Sequence, residues 1–291
     1  MCYYQLRLND HYECDSCDVE ASRRLAVIPS HSCGIADLAA VPPTSGDWGT
    51  GLDLGAAWAK RWTVSLRTGG AEVACPARDL GSFPLGGCEP VRRFSWRRGQ
   101  RHRPGLHFMV STGRHHGFES LEEARLLLAL DFAGRVSEVV SQPFRLRFTT
   151  SAGAVEHVPD VLAVTDDGTW LFDVRPADRI GVDDRAKFAA SAEVALACGW
   201  RYLLVTGWRR HAMATLDAFS SQRRPMGDPL GLRGLLLGRA ARGGMSFGEI
   251  TAGTLADPVA RAQALHLLWS RRLSVDLARP LADATVVSLA G

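Results

Sequence analysis

The chain has 291 residues, of which 46% are hydrophobic and 22% are charged, and its formal net charge is +3. This length and apolar content allow one substantial core and a small second domain. No uncharged apolar run reaches the roughly 18 residues of a membrane-spanning helix, so we expect no such helix and no membrane partner. The first residues lack the basic and then apolar order of a signal peptide, so we expect a cytoplasmic location.

Residues 1–56 predict a weakly ordered extension, because polar residues, consecutive prolines and a stretch rich in glycine and serine show no apolar periodicity. An odd count of seven cysteines in a cytosolic chain argues against a disulfide framework. Four residues of the extension have the types, and one of the spacings, of a zinc site: Cys14, Cys17, His31 and Cys33. Their overall spacing fits no zinc module, so free thiols are the preferred interpretation.

A basic segment at residues 92–103 lies directly before the predicted core, and aromatic side chains are interleaved with its arginines. These arginines are Arg92, Arg93, Arg97, Arg98, Arg101 and Arg103. Arginines bind phosphates and release counterions, and aromatic rings stack on bases. We therefore expect this segment to bind double-stranded DNA. The alternative is a solvated basic linker.

The patterns between residues 57 and 222 predict an α/β core. Alternating residues predict a first hairpin with strands at 62–67 and 71–74. The further predicted elements are a helix at 119–132, strands at 136–141, 144–148, 155–164 and 170–174, a helix at 183–198 and a strand at 200–205. Asp167-Gly168 between apolar runs predicts a tight hairpin turn. The final strand, helix and strand imply a right-handed crossover and a mixed sheet with helices on both faces.

Acidic residues occur in this core in the order helix, strand, strand. The second hairpin supplies Asp160 and Asp173, and the preceding helix supplies a third carboxylate from Glu119, Glu122 or Glu123. Carboxylates are the ligands that Mg²⁺ prefers, and metal-assisted phosphodiester hydrolysis is the chemistry that this arrangement favours. Either aspartate alone is better explained by a structural role at a strand end or in an ion pair.

This order of acids and the sequence around it resemble the PD-(D/E)xK nuclease superfamily. The matching residues are Gln142, Pro143, Pro159, Asp160, Asp173, Val174, Arg175 and Pro176, together with residues 111–120. Within the superfamily the chain is most similar to TnsA, the endonuclease subunit of heteromeric transposases, over residues 58–210. The resemblance implies a restriction-endonuclease-like fold, with a mixed sheet flanked by helices, for a nuclease domain at residues 57–222.

The resemblance also implies a metal site. Matching the predicted helix to the family pattern by its C-terminal end, residues 130–132, puts the catalytic glutamate at Glu123, with Glu119 as the alternative and Glu122 as the least favoured. The implied ligands of Mg²⁺, or of Mn²⁺ in its place, are Glu123, Asp160, Asp173 and the Val174 carbonyl.

Arg175 stands where most members of the superfamily have lysine. A guanidinium stays charged in a protein, so Arg175 is expected to stabilise negative charge on the phosphate rather than to act as a base. Lys187 is a less favoured replacement for the missing ammonium. His157 is expected to contact DNA or position water, with an exposed strand residue as the alternative. Gln142 is expected to orient the strand entry or a metal-bound water.

The composition changes beyond residue 222, and residues 223–291 predict a winged-helix-like domain. The evidence is a helix at 231–237, a capping box at Ser246 and Glu249, a helix at 257–272, and strands at 273–277 and 285–289. The last helix carries few base-reading side chains, so protein docking and DNA binding are equally supported. The resemblance to TnsA favours docking to the transposition ATPase.

The combined hypothesis is a Mg²⁺-dependent DNA endonuclease that cuts one strand at transposon ends. A separate transposase subunit would cut and join the other strand, a division of labour that follows from the resemblance alone. Such a protein is expected at the nucleoid when active. Two alternatives stay open: a stand-alone restriction or repair nuclease, and a non-catalytic DNA-binding or assembly subunit in which Arg175 marks decay of the site.

Overall fold

The computed structural model describes residues 27–41, 48–92 and 103–291. Its α-helices are α1 (Ile35–Leu38), α2 (Trp58–Arg61), α3 (Leu121–Ala133), α4 (Val182–Ala197), α5 (Ala212–Ser220), α6 (Leu232–Ala240), α7 (Phe247–Thr251) and α8 (Asp257–Trp269). The first strands are β1 (Thr63–Thr68), β2 (Ala71–Pro76), β3 (Cys88–Glu89), β4 (Gly105–Met109), β5 (Arg114–Phe118), β6 (Val136–Ser141) and β7 (Phe144–Thr150). The remaining strands are β8 (Gly153–His157), β9 (Val161–Thr165), β10 (Gly168–Val174), β11 (Arg201–Val205), β12 (Leu273–Ser274) and β13 (Ser288–Leu289). Among the described helices, none has both the length and the apolar character to cross a membrane.

A four-stranded sheet in the order β11-β10-β9-β6 carries the predicted aspartates. Strands β9 and β10 form the predicted hairpin: Thr165 pairs with Gly168, and the φ of +113° at Gly168 is a conformation that glycine adopts without strain. Strand β11 pairs parallel with β10, and α4 forms the connection between them. The prediction of a mixed sheet in an α/β fold is therefore confirmed.

Helices cover both faces of this sheet. Val161 and Ala163 of β9 and Phe172 of β10 pack in one core with α3. Leu162 and Leu171 point the other way and pack in a second core with α4. Successive side chains of a strand point to opposite faces, so a continuous apolar run in β9 fills two cores at once.

A second, antiparallel sheet closes the α4 side of the molecule. Its order is β2-β1-β7-β8, and β3 pairs with the free part of β1. Trp62, Leu66 and Phe148 are among the buried residues that it adds to the second core. The hairpin predicted at 62–67 and 71–74 is confirmed as β1 and β2.

The single strand predicted at 155–164 is wrong. Strand β8 ends at His157 and pairs with β7 in the second sheet, whereas β9 begins at Val161 and pairs in the first. Pro159 in the break has no N–H to donate to a sheet. An alternating pattern does not reveal that a strand changes sheets, which is why the prediction merged the two. The break places His157 and Asp160 at neighbouring strand ends.

The segment 27–41 is part of the first core, so the prediction of a weakly ordered extension through residue 56 is wrong there. Ile28, Ile35 and Leu38 are buried. The segment also forms bridges from Pro29 to Asp276 and from Ala39 to Trp208. A short segment with few apolar residues shows no hydrophobic periodicity in the sequence. Its fixed conformation comes instead from contacts with residues far away in the chain.

The candidate zinc ligands are only partly described. Cys14 and Cys17 lie outside the described residues. His31 Nδ1 lies 2.8 Å from Ser274 Oγ. Cys33 is buried, and this burial raises the pKa of its thiol to about 11. His31 therefore has a partner outside the set of candidate zinc ligands, and Cys33 is packed in the first core.

The C-terminal helices pack on α3. Phe132 of α3 contacts Phe219 of α5 and Trp269 of α8, with ring centroids 6.0 and 5.4 Å apart. Helices α6, α7 and α8 confirm three predicted helices, and the Ser246–Glu249 capping box is present. Helix α8 ends at Trp269 rather than at residue 272, and α5 was not predicted.

The predicted wing is shorter than expected. Only β12 and β13 pair, over two residues each. Beyond them, Val275 and Leu277 form hydrogen bonds with Ser30 and Ile28 instead. Residues 275–277 were predicted to pair with the second strand of the wing, but they pair with the segment 27–41 instead.

Candidate active site

Asp160 directly precedes β9 and is fixed between the ends of β6 and β10 by its main chain and its side chain. Its N–H donates to the Phe172 carbonyl over 3.0 Å, and its carbonyl accepts from Gln142 N–H over 2.7 Å. Its Oδ2 accepts from the Val174 N–H over 2.7 Å. The Asp160 side chain is thus held at the end of β10, the strand that carries Asp173, the next predicted metal ligand.

Asp173 is fully buried, and both of its carboxylate oxygens are engaged. Its Oδ1 lies 2.8 Å from His157 Nε2, and its Oδ2 accepts from the Tyr202 hydroxyl over 2.9 Å. A buried carboxylate needs such partners, because an uncompensated charge is costly away from water. An ionised Asp173 only accepts, so His157 must then carry its hydrogen on Nε2.

Tyr202 of β11 is suited to this contact. Burial and the neighbouring Asp173 carboxylate raise its pKa well above the ordinary value, so the phenol stays neutral and keeps its proton. No residue pattern around Tyr202 indicates this role in the sequence. Its position depends on the parallel pairing of β10 and β11, in which Leu171 lies opposite Tyr202.

Glu123 lies in the first turn of α3 and is 7% exposed. Its Oε2 accepts from the Glu119 N–H over 2.8 Å, and its Oε1 accepts from the Ser120 hydroxyl over 2.9 Å. The Glu123 N–H donates back to Ser120 Oγ. This is a capping interaction of the Ser-x-x-Glu type, which the sequence 120–123 already contains. Glu123 therefore has a structural role as well as its predicted catalytic one.

The three predicted acidic ligands form one electrostatic group. Burial raises the pKa of Asp160 well above its ordinary value, and the negative charges of Asp173 and Glu123 raise it further. The hydrogen bond from the Val174 N–H acts in the opposite direction. Like charges that raise a carboxyl pKa are typical of sites that bind a proton or a cation.

Arg175 has its contacts at the start of α4 rather than with the aspartates. Its Nε donates to the Arg179 carbonyl over 3.1 Å, and its Nη2 lies 3.3 Å from Asp184 Oδ2. Lys187 Nζ lies 3.9 Å from the other oxygen of Asp184. Both residues considered for the family lysine position thus share one carboxylate. The catalytic role of Arg175 stays a prediction.

Gln142 follows β6 in a left-handed backbone conformation, with φ of +50°. It is 2% exposed, and within the described chain no donor reaches its Oε1. Its main chain binds Asp160, as described above. The prediction that Gln142 orients a strand entry agrees with this contact, and its side-chain role stays open to test.

Most of the basic segment lies outside the described residues. Only Arg92 and Arg103 of its six arginines are described, and Arg93, Arg97, Arg98 and Arg101 are not. The DNA-binding prediction for these six residues is therefore untested.

Comparisons with known proteins identify no family. No model of a protein family matches the chain, and no curated protein matches it. Among the described residues, no group of three or more His, Cys, Asp or Glu side chains is already arranged to hold a metal ion. The three carboxylates Glu123, Asp160 and Asp173 are therefore the features of this chain that indicate a function.

Proposed function

We propose that the protein is a metal-dependent DNA endonuclease with a restriction-endonuclease-like core. The observation that carries the proposal is the position of Asp160 at the end of β10, where its Oδ2 accepts from the N–H of Val174, the residue after Asp173. The negative charges of Asp173 and Glu123 also raise the pKa of Asp160, and the three acids follow the chain order of that superfamily. A mixed sheet with α3 and α4 on opposite faces agrees with it.

The donor chemistry fits Mg²⁺ or Mn²⁺. A carboxylate has about four lone-pair sites on its two oxygens, so Asp173, with two hydrogen bonds from the described residues, keeps acceptor capacity. Glu123, Asp160, Asp173 and the Val174 carbonyl would hold the cation. The three carboxylates would have to move closer together on binding, since they do not yet form a metal cluster.

The chain's own residues prepare this site. His157 and Tyr202 hold Asp173 in place, and the Val174 N–H orients Asp160. Burial keeps competing water away from Asp173. When bound, the cation supplies an acidified water and neutralises charge on the scissile phosphate. The Arg175 guanidinium lies 3.3 Å from Asp184 and would have to leave that carboxylate to reach the phosphate.

The assignment to a heteromeric transposase is the narrower part of the proposal. Its support is the TnsA-like order of residues 111–176. In this role the protein cuts one strand of double-stranded DNA at a transposon end and works with a transposase subunit and a transposition ATPase. Helices α5 and α8, which contact α3, and helices α6 and α7, which pack on α8, would present the surface for these partners in a complex at the nucleoid.

Nicking of supercoiled plasmid tests the proposal. The full chain is incubated with Mg²⁺ or Mn²⁺, with and without the transposase partner, and nicked and linear products are separated. We expect metal-dependent nicking that is lost in Asp160→Asn and Asp173→Asn. Asp217→Asn, an exposed acid of α5, is the matched control and should nick like the wild type. Dependence on the partner would support the transposase role.

A non-catalytic DNA-binding or assembly subunit is the second candidate. Two observations favour it: Arg175 is paired with Asp184, and both oxygens of Asp173 have protein donors. Calorimetric titration with Mn²⁺ separates the candidates. Absence of metal binding, together with intact DNA binding, would support the assembly role.

A further inference from the structure

A second site lies at the carboxyl ends of β10 and β11, on the α3 side. It is a cleft of about 360 Å³, bounded by the first turn of α3, Pro176 and the loop 206–210. This volume is within the roughly 300–1,000 Å³ of sites that bind small molecules. Ligands of open α/β sheets commonly bind outside the carboxyl ends of the strands. We call it the basic cleft.

The basic cleft carries uncompensated positive charge. Three arginines line it, Arg125, Arg209 and Arg210, against a single acid, Glu122. Glu122 Oε1 accepts from Arg125 over 2.5 Å, so one arginine is neutralised. Arg209 and Arg210 are exposed, and no carboxylate of residues 27–41, 48–92 or 103–291 lies within ion-pair distance of either.

The cleft is also held in shape by distant parts of the chain. The Trp208 indole N–H donates to Glu122 Oε2 over 3.0 Å, which ties the loop to α3. The Arg209 N–H donates to the Leu38 carbonyl over 2.9 Å, and the Ala40 N–H donates to the Gly207 carbonyl over 3.0 Å. A fixed loop places its arginines with little loss of main-chain entropy on binding.

We propose that the basic cleft binds phosphate groups of a nucleic-acid strand. A guanidinium group can donate two parallel hydrogen bonds to phosphate oxygens. Trp208, which is half-buried in the same cleft, offers a ring on which a base can stack. The assignment of these phosphates to a nucleic-acid strand, rather than to a small molecule, rests on the proposed function. The cleft adjoins the acidic site formed by Glu123, Asp160 and Asp173, because Glu122 precedes Glu123 and Val205 of the cleft pairs with Val174.

The test measures binding without cleavage. Fluorescence anisotropy with labelled duplex and single-stranded oligonucleotides is recorded in EDTA over a range of salt concentrations, with a deoxynucleoside monophosphate as competitor. The double variant Arg209→Ala/Arg210→Ala is compared with Arg242→Ala/Arg272→Ala, which removes two exposed arginines elsewhere. Arg209→Lys/Arg210→Lys keeps the charge. Circular dichroism confirms that each variant is folded.

We expect the alanine pair in the cleft to weaken DNA binding at least tenfold at low salt, with a slope of log affinity against log salt reduced by about 1.8 for duplex DNA. The lysine pair should keep most of the affinity, and the control pair should match the wild type. Equal affinity and salt slope for the alanine pair and the wild type would overturn the inference.

The remaining outcomes separate this inference from the proposed function. Loss of DNA binding in the cleft variant, with no metal-dependent nicking by the wild type, supports the cleft and contradicts the endonuclease. Metal-dependent nicking by the wild type, with DNA binding that is unchanged in the cleft variant, supports the endonuclease and contradicts the cleft. Binding of the monophosphate but not of either oligonucleotide would overturn the strand as the source of the phosphate.

Discussion

Two consecutive glutamates of α3 belong to sites of opposite character. Glu123 lies in the acidic site with Asp160 and Asp173, and Glu122 lies in the basic cleft with Arg125 and Trp208. Successive residues of a helix, at 3.6 per turn, point about 100° apart. One turn of helix therefore serves as the wall between the two sites.

The two sites hold their charges in different ways. In the acidic site, like charges are buried together, and protein donors compensate only part of their repulsion. In the basic cleft, two arginines are exposed, so water solvates them at little cost to stability. A cation would relieve the repulsion in the first site, and a phosphate would replace water in the second. The comparison predicts that substitutions in the acidic site alter catalysis and stability, whereas those in the cleft alter DNA affinity.

The largest effect is expected from Asp173→Asn. The amide has nearly the shape of the carboxylate but removes the charge that the proposed cation needs. Substitutions beside metal ligands already cost about 10–100-fold in activity, so loss of a ligand should lower the rate of metal-dependent nicking by about 100-fold or more. Single-turnover nicking with saturating enzyme measures this. Activity within threefold of the Asp217→Asn control would falsify a ligand role for Asp173.

A pair of glutamine substitutions compares the two walls of α3 directly. Glutamine at position 123 can still accept from the Glu119 N–H, so Glu123→Gln should unfold like the wild type yet nick about 10–100-fold more slowly at saturating DNA. Glu122→Gln should instead raise KM, because it loosens Arg125 and Trp208. Steady-state kinetics with a denaturation curve for each variant separates the effects, and exposed Glu72→Gln is the control. A normal kcat for Glu123→Gln would reduce Glu123 to a helix cap.

Tyr202→Phe tests the donors around Asp173. The variant keeps the ring but leaves Asp173 Oδ2 without its hydroxyl donor in a buried place. We expect a loss of about 1–3 kcal/mol in the free energy of unfolding at pH 7. Urea denaturation in EDTA measures it. An unchanged midpoint would mean that another donor replaces the hydroxyl.

The smallest effect expected is a gain in stability for Asp160→Asn. The folded pKa of Asp160 is raised, so the folded state binds more protons than the unfolded state, and stability falls as pH rises above the ordinary carboxyl range. The amide removes this penalty. We expect a gain on the order of 1 kcal/mol at pH 7, or about 2–4 °C in Tm.

The gain should disappear at pH values below the unfolded pKa of aspartate, where Asp160 is protonated in both states. Added Mn²⁺ should stabilise the wild type more than Asp160→Asn. Thermal unfolding over a pH series, with and without the metal, tests both points, and Asp217→Asn is again the control. A loss of stability at pH 7 would show that the hydrogen bond to Val174 outweighs the repulsion.

Local patterns were sufficient where an element is long or its turn is specific. The helix that became α3, the hairpin of β9 and β10 and the capping box at Ser246 were predicted with nearly the right bounds. They depend on contacts between residues close in sequence. The order of the acids along the chain was visible for the same reason. The partners of those acids were not, because His157 and Tyr202 reach Asp173 from β8 and β11.

The sequence by itself determined the α/β character, the hairpin and the order of the acidic residues along the chain, since periodicity and turn chemistry are local properties of a chain. Only the tertiary structure decided that β8 and β9 belong to different sheets, that residues 27–41 complete the first core, and that Arg175 pairs with Asp184. These features depend on segments far apart in the chain, whose meeting is set by the packing of the whole core. The basic cleft is of this second kind, because its walls come from α3, β11 and a loop tied to residues 38–40.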